Sequence, residues 1–70
     1  MSSIQSVIFD IKIFTPLGAR NWLKKHKLKS IKSVDKTLNY LRYRIRPPTE
    51  YKQFRIKNIG NGVKFVLGFK

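Results

Sequence analysis

The first part of the chain alternates between apolar and polar residues. Over residues 4–14 the apolar positions that share one parity are Val7, Phe9, Ile11 and Ile13, while polar residues stand between most of them. A period of two with many β-branched side chains is typical of a strand that buries one face. The pattern therefore predicts a first strand from Ile4 to Phe14, with Ile8 on the outer face.

A helix is predicted directly after this strand. Thr15 can cap free backbone amides, and Pro16 suits the first helical position because it has no N–H to leave unpaired. Apolar and semi-polar side chains then recur with helical spacing, at Ala19, Trp22, Leu23 and His26. The pattern predicts a helix to about Lys27 that packs this stripe on a sheet.

The pattern in the middle of the chain predicts a connector, followed by a strand with one apolar and one basic face. Residues 28–36 show no clear period, and we interpret them as a connector in which Asp35 makes a turn and three apolar side chains reach the core: Leu28, Ile31 and Val34. In residues 37–46 one parity holds Leu41, Tyr43 and Ile45. The other parity holds Tyr40, Arg42, Arg44 and Arg46, which we name the arginine row. One face is predicted to be buried and the other basic.

Two further strands are predicted after Pro47-Pro48, which cannot donate ladder hydrogen bonds and so end the preceding strand. Gly60-Asn61-Gly62 lies between two alternating segments, and Asn-Gly in that position is a strong hairpin signal. Before the turn, Phe54 and Ile56 are predicted to face inward and Arg55 and Lys57 outward. After it, the predicted inward residues are Val63, Phe65, Leu67 and Phe69.

The order strand, helix, strand, strand, strand predicts an α+β fold. One helix packed on a small, mainly antiparallel four-stranded sheet buries every inward-facing set of residues. Seventy residues suffice for one core only, so residues 1–70 are predicted to form a single domain.

Charge is the strongest compositional signal. Sixteen Lys and Arg against three acidic residues give a formal net charge of +13, while 41% hydrophobic residues favour a folded domain over a basic tail. The chain has no cysteine and one histidine, which excludes disulfides and Cys-ligated metal, and no cofactor is expected. No apolar segment reaches the roughly 18 residues of a membrane span, and no signal peptide is recognised. We expect an intracellular protein.

The arginine row is the main candidate site. Its side chains follow one another at about 6.6 Å, close to the spacing of successive phosphates, and arginine binds phosphate bidentately. We expect Arg55, Lys57 and Lys64 to extend this surface from neighbouring strands. A second basic cluster at the helix end comprises Lys24, Lys25, Lys27, Lys29, Lys32 and Lys36. It suits non-specific attraction of nucleic acid, or stabilises the helix C-terminus.

Other functions are less favoured by the residues present. Asp10, Asp35 and Glu50 are far apart in sequence, which argues against a carboxylate-based active site, so we predict no enzyme. His26 is interpreted as a packed residue, although a metal-free ribonuclease using it is a third hypothesis. Tyr51 is expected to stack on a base or to cover the sheet edge. Membrane binding lacks a spare apolar face.

A resemblance bears on origin. The segments ARNWLKKHKLK and VDKTLNYLRYRIRPPTEYKQFRIKNIGNGVKFVLG resemble a small uncharacterised domain of giant DNA viruses and virophages, with a related segment in some bacteriophage proteins. Lys27 stands where that domain prefers Gly, and Leu41 where it has a second Tyr. The resemblance implies a viral protein, in an infected host cell (viral factory or nucleus) or in the virion, and implies no catalytic mechanism.

These observations predict a nucleic-acid-binding protein. Double-stranded DNA is favoured over RNA, with low sequence specificity and contact through the arginine row. The alternative is a small structural or scaffold protein of a virus that binds acidic proteins, since charge alone does not separate the two. The sequence also allows a homodimer.

Overall fold

The computed structural model describes residues 2–31 and 34–70. Within them one α-helix lies on a five-stranded antiparallel sheet of order β2-β3-β1-β5-β4. The elements are β1 (Ser2–Asp10), α1 (Pro16–Lys25), β2 (Asp35–Lys36), β3 (Tyr40–Arg44), β4 (Gln53–Gly60) and β5 (Val63–Phe69), with a 3₁₀ turn at Pro48–Glu50. The α+β class is confirmed, whereas the predicted four strands become five because β2 pairs beside β3.

Strand β1 is shorter than its alternation predicts. Asp10 ends it, since its carboxylate accepts a hydrogen bond from the Lys12 amide at 2.9 Å and its carbonyl accepts from Ile13 and Phe14. An Asp that bonds the backbone two residues on forms a turn. Ile13 is 60% exposed, so the prediction that the buried strand face continues to Ile13 is wrong.

Helix α1 begins as predicted and ends earlier. The Thr15 hydroxyl accepts a hydrogen bond from Gly18 N at 3.1 Å, which confirms the cap. At the other end Leu28 N donates to Leu23 O and Lys27 N donates to Lys24 O. This pair of bonds is a Schellman motif, whose left-handed position is occupied by Lys27 at φ 60°.

The core lies between α1 and one face of the sheet. The sheet contributes Val7, Phe9, Leu41, Tyr43 and Val63, and the helix contributes Ala19 and Leu23. Trp22 packs edge-on against Phe9 and Phe65, with ring centroids 5.5 and 5.9 Å apart. The predicted inward faces of β1 and β3 are therefore confirmed as far as the strands extend, and so is the docking of the helix. In β5, Val63 and Phe65 face the core as predicted, but Val66, predicted on the outer face, is also buried, at 6% exposed.

The β4–β5 hairpin differs from its predicted register by one residue. Gly60 pairs with Val63 across the turn, but a bulge at Ile59 then sets Asn58 opposite Lys64 and Ile56 opposite Val66. Without this extra residue Ile56 would oppose Leu67, on the helix side. A shift of one residue moves every following side chain to the other face.

The connector is partly as predicted. Leu28 and Val34 pack against the core, but Ile31 is 49% exposed. Asp35 does not make a turn; it begins β2, directly opposite Arg42 of β3. Lys32, which the sequence placed in the lysine cluster, lies outside the described residues.

Candidate nucleic-acid interface

The arginine row lies on the sheet face opposite the helix, which we name the open face. Tyr40, Arg42 and Arg44 stand opposite Asp10, Ile8 and Ser6 of β1. Val7 and Phe9, which alternate with those β1 residues, belong to the core. Because strand side chains alternate, Tyr40, Arg42 and Arg44 project away from the core as the sequence predicted, and Arg46 follows after the end of β3.

A buried polar group fixes the end of the row. The backbone carbonyl of Gln5 accepts hydrogen bonds from the backbone amides of Ile45 and Arg46. The side-chain amide of Gln5 donates through Nε2 to the backbone oxygen of Arg46 at 2.9 Å. Ser6 Oγ donates to Gln5 Oε1 at 2.7 Å. These bonds hold the backbone just beyond β3, where the side chain of Arg46 is exposed.

Two guanidinium groups of the row are held close to the sheet. The Nε atoms of Arg42 and Arg44 are shielded from solvent and have no hydrogen-bond partner among residues 2–31 and 34–70. Both side chains are half-buried, so their stems lie along the surface. A buried donor without a partner costs about 1 to 3 kcal/mol.

Of the three residues expected to extend the row, only Lys64 does so. It lies opposite Ile8 on the open face, and its Nζ is 5.5 Å from the centroid of the Tyr40 ring. The prediction for Arg55 and Lys57 is wrong: they oppose Leu67 and Phe65 and therefore share the helix side of the sheet. The bulge at Ile59 is the reason.

The lysines of the helix end form a separate surface. Lys24, Lys27 and Lys29 line a groove between α1 and the segment that follows it, together with Arg20. Lys25 is exposed on the last turn of the same helix. The sheet lies between this cluster and the arginine row, so the two basic surfaces face different directions.

Sequence reasoning missed an apolar part of the open face. The bulge that carries Arg55 to the helix side brings Phe54 and Ile56 to the open side, where they are 43% and 66% exposed. On the same face lie Val66 of β5, which is 6% exposed, and the half-buried Ile8 of β1. All four line one depression, and we name them the apolar patch: Ile8, Phe54, Ile56 and Val66. The sequence did contain one signal of this patch, because two apolar residues, Ile8 and Val66, stand at positions predicted to face outward.

Tyr51 supports one side of this patch. Its ring covers Gly68, where an added Cβ would lie 2.4 Å from the ring, and it meets Phe54 edge-on at 6.1 Å. Tyr51 is only 8% exposed. Of the two roles expected for it, covering the sheet is therefore the one that it fills.

His26 and Tyr43 are two further titratable residues among those described. The His26 imidazole stacks on the Trp22 indole, with ring centroids 3.9 Å apart, but the residue as a whole is exposed. The interpretation of His26 as a packed residue is therefore confirmed only for the ring face that contacts Trp22. The described residues contain no group of three His, Cys, Asp or Glu that could hold a metal. Burial raises the pKa of Tyr43 above its ordinary value, and the charge of Arg20 opposes this.

One further structural result concerns membranes: no helix within the described ranges is long and apolar enough to cross one. Comparison of the chain with family models, with curated proteins and with solved structures gives no match. The resemblance to a domain of giant viruses and virophages therefore stays a hypothesis based on the quoted residues alone.

Proposed function

We propose that the protein binds nucleic acid, without catalysis, through the open face of its sheet. Phosphate groups are held by Arg42 and Arg44, with Lys64 beside them and Arg46 at the end of the row. The observation that carries the proposal is the placement of Arg42 and Arg44 on adjacent outward positions of β3, with Nε donors that have no partner among residues 2–31 and 34–70. Planar guanidinium groups at this spacing suit successive phosphates.

Net charge supports a polyanionic ligand. Thirteen uncompensated positive charges on 70 residues repel one another. Phosphates would neutralise them, and the counterions released from the phosphate backbone would add to the affinity. Two acidic residues stand opposite members of the row: Asp35, opposite Arg42, and Asp10, opposite Tyr40. They leave the open face basic overall.

The first experiment compares two variants of equal charge. Arg42→Gln/Arg44→Gln removes two charges from the open face, and Lys24→Gln/Lys25→Gln removes two from the helix end. We expect the arginine variant to weaken oligonucleotide binding about tenfold or more and the lysine variant about twofold, measured by fluorescence anisotropy at fixed salt. The difference follows because a direct hydrogen bond to a phosphate contributes more to affinity than diffuse attraction by a distant charge.

The result also tests the alternative of a scaffold for acidic proteins. Equal reductions in the two variants would show that only net charge matters and would contradict the proposed interface. Binding of poly-glutamate as tight as that of an oligonucleotide of equal charge would favour an acidic protein partner instead. Duplex DNA of low specificity, as predicted from the sequence, is one of the ligands to be compared.

A further inference from the structure

The exposed apolar residues of β4 are concentrated beside the basic residues. Ile56 stands opposite Val66 of β5, and both line one depression with Phe54 and with Ile8 of β1. Ile8 is itself the cross-strand neighbour of both Arg42 and Lys64. Neighbouring strands are about 4.8 Å apart, so the distance from the arginine row to Ile56, three strands away, is about 14 Å. One ligand of moderate width can therefore contact both parts of the open face.

A shallow depression joins the two parts. It has a volume of about 370 Å³, and its lining consists of Gln5, Ile8, Arg42, Pro48, Phe54, Ile56 and Val66. Arg42 is the charged residue of this lining, and the apolar patch supplies most of the rest. The depression therefore offers a cation for an anionic group and, next to it, an aromatic and aliphatic surface for a flat apolar group.

From this arrangement we infer that the ligand is single-stranded nucleic acid, with its backbone along the arginine row and its bases on the apolar patch. The inference rests on the proposed function and specifies its substrate class. Bases of a single strand are free to stack on aromatic and aliphatic side chains, and this contact tolerates any sequence. Bases of a duplex are stacked on one another, so a duplex offers phosphates to the row but leaves Phe54 and Ile56 in water.

Charge argues against a second copy of this chain or a neutral protein as the occupant of the patch. A second copy of this chain would bring two surfaces containing Arg42, Arg44 and Lys64 together, and like charges at close range are costly. A neutral apolar partner would bury those cations without compensation. A ligand with regularly spaced anions and flat apolar groups meets neither obstacle.

The test varies the ligand and the protein together. The ligands are a 12-nucleotide oligothymidine, the same backbone without bases, and a 12-base-pair duplex. The protein variants are Phe54→Ala and Ile56→Ala, with Leu17→Ala as matched control because Leu17 is 68% exposed on the helix. Phe54→Tyr retains an aromatic ring. Circular dichroism melting checks that each variant is folded.

We expect the wild type to bind oligothymidine at least tenfold more tightly than the abasic strand or the duplex at equal salt. Phe54→Ala and Ile56→Ala should each weaken oligothymidine binding about five- to tenfold and leave abasic and duplex binding within twofold. Phe54→Tyr and Leu17→Ala should bind as the wild type does. This pattern would show that the patch contacts bases.

Two other results would overturn the inference and separate it from the proposed function. If oligothymidine, abasic strand and duplex bind equally and depend on Arg42 and Arg44 alone, the interface binds phosphate but not bases. The proposed function then stands without this inference. If none of the three ligands depends on the arginine row, the proposed function itself is wrong.

Discussion

Two single residues affect the stability of the fold, Lys27 through its backbone conformation and Tyr43 through its burial and hydrogen bond. Lys27 has a left-handed backbone at φ 60°, which ends the helix but is costly for a residue with a Cβ. Tyr43 is buried with its hydroxyl donating to Pro16 O at 3.1 Å, which ties the start of α1 to β3. Each of these positions yields a prediction that does not depend on the ligand.

Lys27→Gly is expected to raise the free energy of unfolding by about 1 kcal/mol. Glycine adopts positive φ without a steric cost, and the Schellman hydrogen bonds of Leu28 and Lys27 use backbone atoms only. Urea denaturation at neutral pH measures the change. Lys27→Ala removes the same charge but keeps the Cβ, and a stabilisation of the same size in this control would contradict the backbone explanation.

Tyr43→Phe is expected to cost about 1 kcal/mol at neutral pH, through loss of the hydrogen bond to Pro16 O. It also changes the response to alkali. Because burial raises the pKa of folded Tyr43, the unfolded chain releases this proton first, and stability falls as the pH rises above about 10. The phenylalanine variant should lose stability less steeply there. Tyr40→Phe, on the exposed row, should keep the wild-type decline; if it flattens equally, Tyr43 is not the cause.

Among the helix and strands, the main feature is that helix α1 covers one side of the sheet, whereas on the other side Tyr51 covers the part around Gly68. Helix α1 packs over the strands that supply the buried sheet residues, β1, β3 and β5. Strand β4 lies at the edge, and all of its residues are exposed. For β4 an alternating pattern therefore does not identify the core side, because neither side is buried. Its facing is decided by the bulge at Ile59 and by the hydrogen bond from Gly60 N to Asn58 Oδ1 at 2.9 Å.

Trp22→Ala is expected to destabilise the fold by about 3 kcal/mol, at the lower end for truncation of a large aromatic because the side chain is half-buried. The indole holds α1 on the sheet through Phe9 and Phe65. Thermal melting with Trp22→Phe as the conservative comparison measures the destabilisation. A near-neutral Trp22→Ala that weakens oligonucleotide binding would show that the indole contacts ligand instead.

Over the molecule as a whole, basic residues occur on both sides of the sheet. The open face has the arginine row and Lys64, whereas the other side has Arg55, Lys57 and the lysines of the helix end. If the protein binds a polyanion as proposed, all of these cations contribute to long-range attraction. The open face differs in having the apolar patch beside its cations, and on the proposed function short-range contacts there orient the ligand.

Binding is expected to weaken steeply with salt. If the four cations Arg42, Arg44, Arg46 and Lys64 bind phosphates of a single strand, log K should fall with log salt at a slope of about −3, from about −0.7 per phosphate. Titrations between low and physiological salt measure the slope. Arg42→Gln/Arg44→Gln should make it shallower by about 1.4. A slope near zero for the wild type would contradict phosphate binding.

Elements with local signals could be predicted from the residues alone. The cap at Thr15, the Asn-Gly turn and the buried parities of β1 and β3 follow from residue chemistry and from period-two burial against one helix. Because β3 has its parity fixed by burial, the outward direction of Arg42 and Arg44 was predictable too.

Other features depend on how the strands assemble. One extra residue in a hairpin reverses every side chain beyond it, and the alternating pattern of β4 does not show the bulge at Ile59, so Arg55 and Lys57 were predicted on the wrong face. The pairing of Asp35 opposite Arg42 depends on which segments meet across the sheet. An edge strand with neither face buried has no core to define its inward side. The apolar patch that adjoins the arginine row is therefore a product of the assembled sheet rather than of any single segment.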